Sequence, residues 1–398
     1  MQIADRVKRI KSSSTVTMAA KAIALQESGL EIIDFGVGEP DFPTPENIKT
    51  AAVTALTENK TKYTTNNGLL DLRQAICEKL ETQNRIIYRP EQILVSNGAK
   101  HALFNVMMSL IEQGDEVIIP APYWSSYTEI TKLAQGSPII VNTTEDSGFH
   151  INGKQLSVAI TDKTKVFILC NPTNPTGAAY SKEQLRDLVE VLVNRKFYII
   201  TDEIYEKLFY DNQKFVSLAA FDKLKDRTIV INGLSKAYAM TGWRIGYAAG
   251  PADVIKAAAK LQSHSTSAAS TISQYAAIEA LRGPQDEMFR MLSEFQKRRN
   301  YLMQRMESIP EITCQKPGGA FYVFPNISKY FGKKFSGKKI SNSNELADYL
   351  LNEARVVSVP GAAFGAEGYL RISYATSISK IKEGVNRLTD ALNKLMDT

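Results

Sequence analysis

The chain has 398 residues, a formal net charge of +6, 44% hydrophobic and 23% charged residues. That length supports a large core and predicts one large domain with a smaller one, in an ordinary globular composition. The basic residues are scattered, which argues against a nucleic-acid partner. No apolar stretch reaches the roughly 20 residues that span a bilayer, and Cys77, Cys170 and Cys314 are too far apart for a metal site.

The N-terminal basic residues Arg6, Lys8, Arg9 and Lys11 lack a following apolar core, so a cytoplasmic location is expected. Ile32-Ile33-Asp34-Phe35-Gly36 predicts a short strand leading into the proline-rich loop Val37-Gly38-Glu39-Pro40-Asp41. Gly38 there admits two readings, a plain turn or a close approach of ligand to backbone. Helices are predicted over 47–57, 69–81 and 99–111, interleaved with short apolar runs at 93–96, 117–120, 139–141, 166–170, 198–202, 228–232 and 245–249. Continuous apolar runs separated by helices predict a mainly parallel seven-stranded sheet covered on both faces. Ligands of such sheets bind beyond the carboxyl ends of the strands.

The chemically interesting residues fall at those ends. Ser96-Asn97-Gly98-Ala99-Lys100 opens a helix whose first N–H groups can hold a phosphate. Trp124 comes after the next run and is either a core residue or a surface on which an aromatic ligand stacks. Asn174 lies in Asn171-Pro172-Thr173-Asn174-Pro175-Thr176-Gly177, a turn sequence that can also present an amide to a ligand. Asp202 ends a buried run. It either caps the next helix or meets a cation such as a protonated pyridine nitrogen. Lys236 sits between two apolar runs and is either an ordinary loop residue or a desolvated, neutral amine that attacks a carbonyl; Arg244, eight positions on, can clamp a phosphate. A phosphorylated carbonyl cofactor would satisfy both, and pyridoxal 5′-phosphate is the candidate.

Beyond about residue 285 the pattern turns to α+β: a helix over 286–308, strand-like Phe321 to Phe324, a helix over 344–354, strands at 356–359 and 369–374, and a last helix at 378–394. The lysine-rich 329–339 stretch reads as a solvated loop. Arg371 lies inside an apolar run and needs an anion, either a structural carboxylate or that of a substrate.

Taken in order, Gly38-Glu39-Pro40-Asp41-Phe42, Tyr123-Trp124, Asn174-Pro175-Thr176-Gly177, Asp202 with Tyr205, Ser235-Lys236 with Arg244, and Arg371 resemble the class I pyridoxal-phosphate aminotransferases of fold type I, in the bacterial aspartate/prephenate branch. The resemblance spans nearly the whole chain. It implies a large α/β domain over 48–285, with residues 1–47 and 286–398 forming a smaller α+β domain. It implies Lys236 as the Schiff-base and proton-transfer residue, Asp202 opposite the ring nitrogen, and Tyr205 and Asn174 at the phenolic oxygen. Trp124 would stack on the ring, while Arg244, Ser235 and the backbone of Gly98, Ala99 and Lys100 hold the phosphate.

Tyr63 would reach the phosphate of a partner subunit in a homodimer with shared sites. Arg371, with Gly38, Trp124 and Asn174, would bind the substrate. The chain departs from many relatives in having Ala99 where they carry a second glycine; a negative φ there would preserve the backbone donor. Lys11 and Ser13 are candidates for a second substrate carboxylate. The expected activity is exchange of an amino group between an amino acid, aspartate or glutamate first, and a 2-oxo acid in a ping-pong cycle. The alternatives are an aromatic or prephenate aminotransferase and a β-lyase.

Overall fold

The computed structural model describes residues 2–12 and 14–396. The seven apolar runs become β1 (Ile93–Ser96), β2 (Glu116–Ala121), β3 (Ser137–Asn142), β4 (Thr164–Cys170), β5 (Tyr198–Asp202), β6 (Thr228–Gly233) and β7 (Gly246–Ala249). They form one sheet in the order β1-β7-β6-β5-β4-β2-β3. The strand β7 runs antiparallel to both neighbours, and the other pairings are parallel.

Alternation along the central strands sorts their side chains to two faces. Ile168, Ile200 and Ile229 pack with Leu103 and Met107 of a helix on one face, while Phe167, Leu169 and Ile199 pack with Leu185, Leu188 and Leu192 on the other. Both faces are covered, which is why these strands read as unbroken apolar runs.

Three helices matter for the site: α1 (Leu70–Asn84), α2 (Ala99–Leu110) and α3 (Ser126–Leu133). Helix α2 starts directly after β1, and the turn requires Gly98 at φ +87°. A side chain there would strike the Arg244 guanidinium, so glycine is required by conformation and by space.

The C-terminal region carries the helices Asp286–Glu307 and Ile378–Asn393 and a second antiparallel sheet of β8 (Tyr322–Val323), β9 (Val359–Pro360) and β10 (Leu370–Ser373), ordered β9-β10-β8. Ile33–Asp34 pairs in parallel with Val356–Val357. Met18, Ile33 and Phe35 share one core with Phe295, Leu302, Phe321, Val356 and Leu388, and this core reaches Tyr205 on the turn after β5. Two details differ from the sequence reading. The helix expected over 344–354 is α-helical only over Ser343–Tyr349 and widens to a π-turn over Leu350–Ala354. The 329–339 stretch contains a small exposed hairpin, Lys334–Phe335 against Lys338–Lys339, turned by Ser336 and Gly337 at positive φ.

Candidate active site

Strands β4, β5 and β6 end side by side, and the segments leaving them place Asn174, Asp202 and Lys236 around one cavity of about 320 Å³. The loop carrying Lys236 leaves β6 and returns along β7. It is clamped from outside: Trp243 Nε1 donates to Thr44 Oγ1 at 3.0 Å, and Thr44 Oγ1 donates to the Ala239 carbonyl at 2.7 Å. Lys236 Nζ donates to the Gly38 carbonyl at 2.5 Å. Burial brings its pKa down to about 8; Glu39 opposes that, while the cations Arg371, Arg244 and Lys100 reinforce it.

Asp202 is buried across the same cavity. Its Oδ2 accepts from Tyr127 Oη of α3 at 2.7 Å and its Oδ1 from Ile204 N at 3.3 Å. Burial raises its carboxyl above the usual aspartate range; the two hydrogen bonds and the charge of Lys236 work against that. A cation placed against Asp202 would restore its ionised form.

Arg371 is buried between the rings of Tyr322 and Phe364, 4.5 and 5.1 Å from their centroids. Nη1 donates to Asn174 Oδ1 at 3.1 Å and Nη2 to the Gly36 carbonyl at 2.6 Å, while Nε has no hydrogen-bond partner. A bare buried donor on a fixed, charged fork favours an incoming carboxylate. Tyr205 Oη lies 2.8 Å from Tyr322 Oη. At the other end Arg244 Nη1 donates to the Thr241 carbonyl at 2.8 Å and Nη2 to the Asn97 carbonyl at 3.3 Å, beside the start of α2. Ala99 keeps negative φ, so its N–H and that of Lys100 point out of the helix start as a glycine's would. Lys100 Nζ lies 4.8 Å from the Trp124 ring centroid. Among the described residues no carboxylate lies within 4.0 Å of the charged nitrogens of Lys100, Lys236, Arg244 or Arg371, although many other basic side chains are so paired.

The cavity thus gathers Gly38, Ala99, Lys100, Trp124, Asn174, Asp202, Tyr205, Ser235, Lys236, Arg244 and Arg371, with Gly98 immediately behind. Tyr63 stands apart on the surface, 95% exposed. Lys11 is also outside the cavity, its backbone N–H held by Glu129 at 2.8 Å, and Ser13 lies outside the described residues. The sequence reading missed Tyr127, Tyr322 and the side chain of Lys100. Tyr127 had a usable signal, its place on the helix that begins just after Trp124; Tyr322 had none, since its partners Tyr205 and Arg371 are remote in the chain. A larger open groove of about 1230 Å³, between Asn84, His150, Lys182 and Asp222, contains none of these groups.

One kind of ligand answers all of these groups: an anion at the start of α2, a carbonyl for Lys236 and a basic ring nitrogen for Asp202. That is a pyridoxal-phosphate enzyme. The family profile of aminotransferase class I and II matches residues 31–388. An aspartate aminotransferase of Bacillus sp. (strain YM-2) is 45% identical, covering 97% of this chain and 98% of its own. A probable aspartate/prephenate aminotransferase of Rickettsia felis is 45% identical over 99% of this chain and 97% of its own. The crystal structure of the aspartate aminotransferase from Rhizobium meliloti superposes with a TM-score of 0.96 at 43% identity, covering 99% of this chain and all of the other. The chain belongs to the class I and II aminotransferases and is a pyridoxal-phosphate-dependent transaminase of fold type I.

Proposed function

We propose that the chain is a homodimeric aspartate aminotransferase of the cytoplasm, moving the amino group of aspartate or glutamate to a 2-oxo acid in alternate half-reactions. The observation that carries the substrate class is the set of cavity cations without a carboxylate partner. Arg244 and the start of α2 suit a phosphate, Arg371 suits the substrate's α-carboxylate, and Lys100 remains for a second carboxylate. Lys100 is therefore preferred to Lys11 as the distal group. Prephenate, which the name of one relative joins to aspartate, is a second acceptor of the same dicarboxylic kind.

In this reading pyridoxal phosphate, when bound, supplies a carbonyl that receives the amino group and a ring that draws electron density from the substrate's α-carbon. Trp124 would cover one ring face, Asp202 would keep the ring nitrogen charged, and Tyr205 and the free amide Nδ2 of Asn174 would bond the phenolic oxygen. Ser235 adds a hydroxyl at the phosphate. Arg371, fixed by Asn174 and the Gly36 carbonyl, orients the substrate so that its α-hydrogen faces Lys236. Lys236 Nζ would take that proton from the α-carbon and hold it for return. The exposure of Tyr63 suits a residue completed by a partner subunit, whose phosphate it would reach. The shared core of Met18, Ile33 and Phe35 with the C-terminal helices supports a small domain of 1–47 and 286–398 beside a large one of 48–285.

Supplying aspartate and 2-oxoglutarate tests the activity: glutamate and oxaloacetate should form in equal amounts, whereas no glutamate from that pair, together with ammonia and pyruvate from β-chloroalanine, would make the protein a β-lyase. Arg371→Ala should remove charge-assisted hydrogen bonds of about 1.5–3 kcal/mol, raising KM for every amino acid roughly 10- to 150-fold. An unchanged KM takes Arg371 out of the site. Lys100→Ala should raise KM for aspartate by about 10-fold, as for one charged contact at a half-open site, and leave phenylalanine nearly unaffected. Equal losses for both substrates would show that Lys100 serves the cofactor instead.

A further inference from the structure

The turn after β5 has two faces. Asp202 and Tyr205 point into the cofactor cavity, and Glu203 and Glu206 point away from it into the protein. Both glutamates are buried, in a place the transamination chemistry does not use. Glu206 forms an ion pair with the buried Lys79 of α1 through one oxygen and accepts from Asn84 Nδ2 at 2.7 Å through the other. Glu203 Oε1 accepts from Thr201 Oγ1 at 3.0 Å and from Ser217 Oγ, whereas Oε2 has no partner. The backbone locks the turn further: Glu203 N donates to the Ile231 carbonyl at 2.8 Å and Glu206 N to the Glu203 carbonyl at 3.0 Å. The same cluster backs onto the Lys236 loop, because Lys79 and Glu206 border a small void shared with Asn232, Leu234 and Ala237.

We propose that Lys79 and Glu206 form a positioning anchor that aims Asp202 and Tyr205 into the cofactor cavity, with Glu203 serving beside them as a neutral acid. This rests on the roles given to Asp202 and Tyr205 above. The charge distribution supports the neutral form: Glu206 holds the ammonium of Lys79 with Lys207 on its far side, and among the described residues Glu203 has no ion-pair partner. An ionised Glu203 would leave a charged oxygen bare in the interior, which costs far more than a bare neutral one. The groups facing Glu203 are Glu206 from its own turn, Lys79 from α1, Thr201, Ser217, and the hydroxyls of Tyr88 and Tyr247. None beyond Lys79 brings a positive charge to it. Burial and the charge of Glu206 push the Glu203 carboxyl up to about 8; Ser217, Lys79 and Thr201 oppose them.

A dependence on pH results. The folded chain holds this proton more tightly than the unfolded one, whose glutamate titrates near 4.5. The contribution to stability is complete below that value and is lost as pH rises toward about 8. Glutamine reproduces the neutral acid without the proton.

The test uses full-length protein carrying Glu203→Gln, Glu206→Gln, or Lys79→Gln with Glu206→Gln, and Asp202→Asn as reference. Cofactor-free protein gives melting temperatures from pH 5 to 8.5, fluorescence titration gives affinity for pyridoxal phosphate, and steady-state assays give kcat and KM for aspartate. Glu203→Gln should keep kcat and cofactor affinity within about two-fold, and its melting temperature relative to wild type should climb with pH. Glu206→Gln should lower kcat by about 10- to 100-fold, as a displaced catalytic group does, with KM for aspartate little changed. The double variant leaves no lone buried charge, so it should fold and show the same kcat loss. A constant melting difference across the pH range overturns the neutral Glu203. A folded double variant at wild-type kcat, with Asp202→Asn impaired, overturns the anchor and leaves the role of Asp202 standing.

Discussion

Lys236→Ala is expected to end turnover, lowering kcat by at least about 10³–10⁴-fold, the upper range for one positioned proton-transfer group. Alanine removes both tasks assigned to this side chain: the amine that bonds the cofactor's carbonyl and the base that carries the α-proton. No neighbour can substitute. Lys100 Nζ is set aside over the Trp124 ring and Arg244 beside the start of α2, and an arginine stays protonated at any working pH. The fold should survive, because among the described residues the only side-chain hydrogen bond lost is the one to the Gly38 carbonyl. A stopped assay with aspartate and 2-oxoglutarate reads the rate, and the absorbance of bound cofactor reads the lost covalent link. A variant within ten-fold of wild type, on about 1.4 kcal/mol, would refute the assignment.

The amine's lowered pKa adds a second arm. Cofactor-free protein should capture pyridoxal phosphate faster as pH rises toward about 8, where the neutral amine becomes the main form, and level off above it. A capture rate flat from pH 6 to 9 would mean that deprotonation of Lys236 does not govern bond formation.

Much of the site was legible because its residues come just after buried strands. Asp202 and Lys236 each lie at or directly beyond an apolar run, and a sheet with both faces covered brings such ends together. The proline-rich loops at Gly38 and Asn174 were legible as rigid but not as neighbours; only the fold shows Lys236 bonded to the Gly38 carbonyl and Arg371 to Asn174. The direction of β7 was hidden, since an apolar run reads the same either way. Tyr322 was hidden for another reason. Its place beside Tyr205 and Arg371 arises where β8 of one sheet meets the turn after β5 of the other, a contact with no periodicity to announce it. Nothing in the pattern around Glu203 and Glu206 marks them as buried; both are, and Lys79, more than a hundred residues earlier, pairs with Glu206.

Asp202→Asn should lower kcat by about 10²–10³-fold. The side chain's task is charge, since two unit charges about 4 Å apart at an effective dielectric of about 20 attract by about 4 kcal/mol. Part of that is offset by desolvating the carboxylate, whose pKa burial raises. The amide keeps the shape and loses the charge. Neither end of the amide carries charge: its oxygen can keep only one of the bonds from Tyr127 Oη and Ile204 N, and its nitrogen is a donor. A donor facing that nitrogen favours its unprotonated form, in which the ring draws electrons poorly. Affinity for the cofactor should fall less than kcat, because the phosphate end is untouched. Nitrogen NMR of isotopically labelled cofactor would show a neutral ring nitrogen in the variant and a protonated one in wild type. Asp202→Glu, which retains the charge at a shifted position, should recover part of the rate. If Asp202→Asn kept both the protonated nitrogen and the wild-type rate, the carboxylate would be structural, and the anchor of Lys79 and Glu206 would have nothing catalytic to aim.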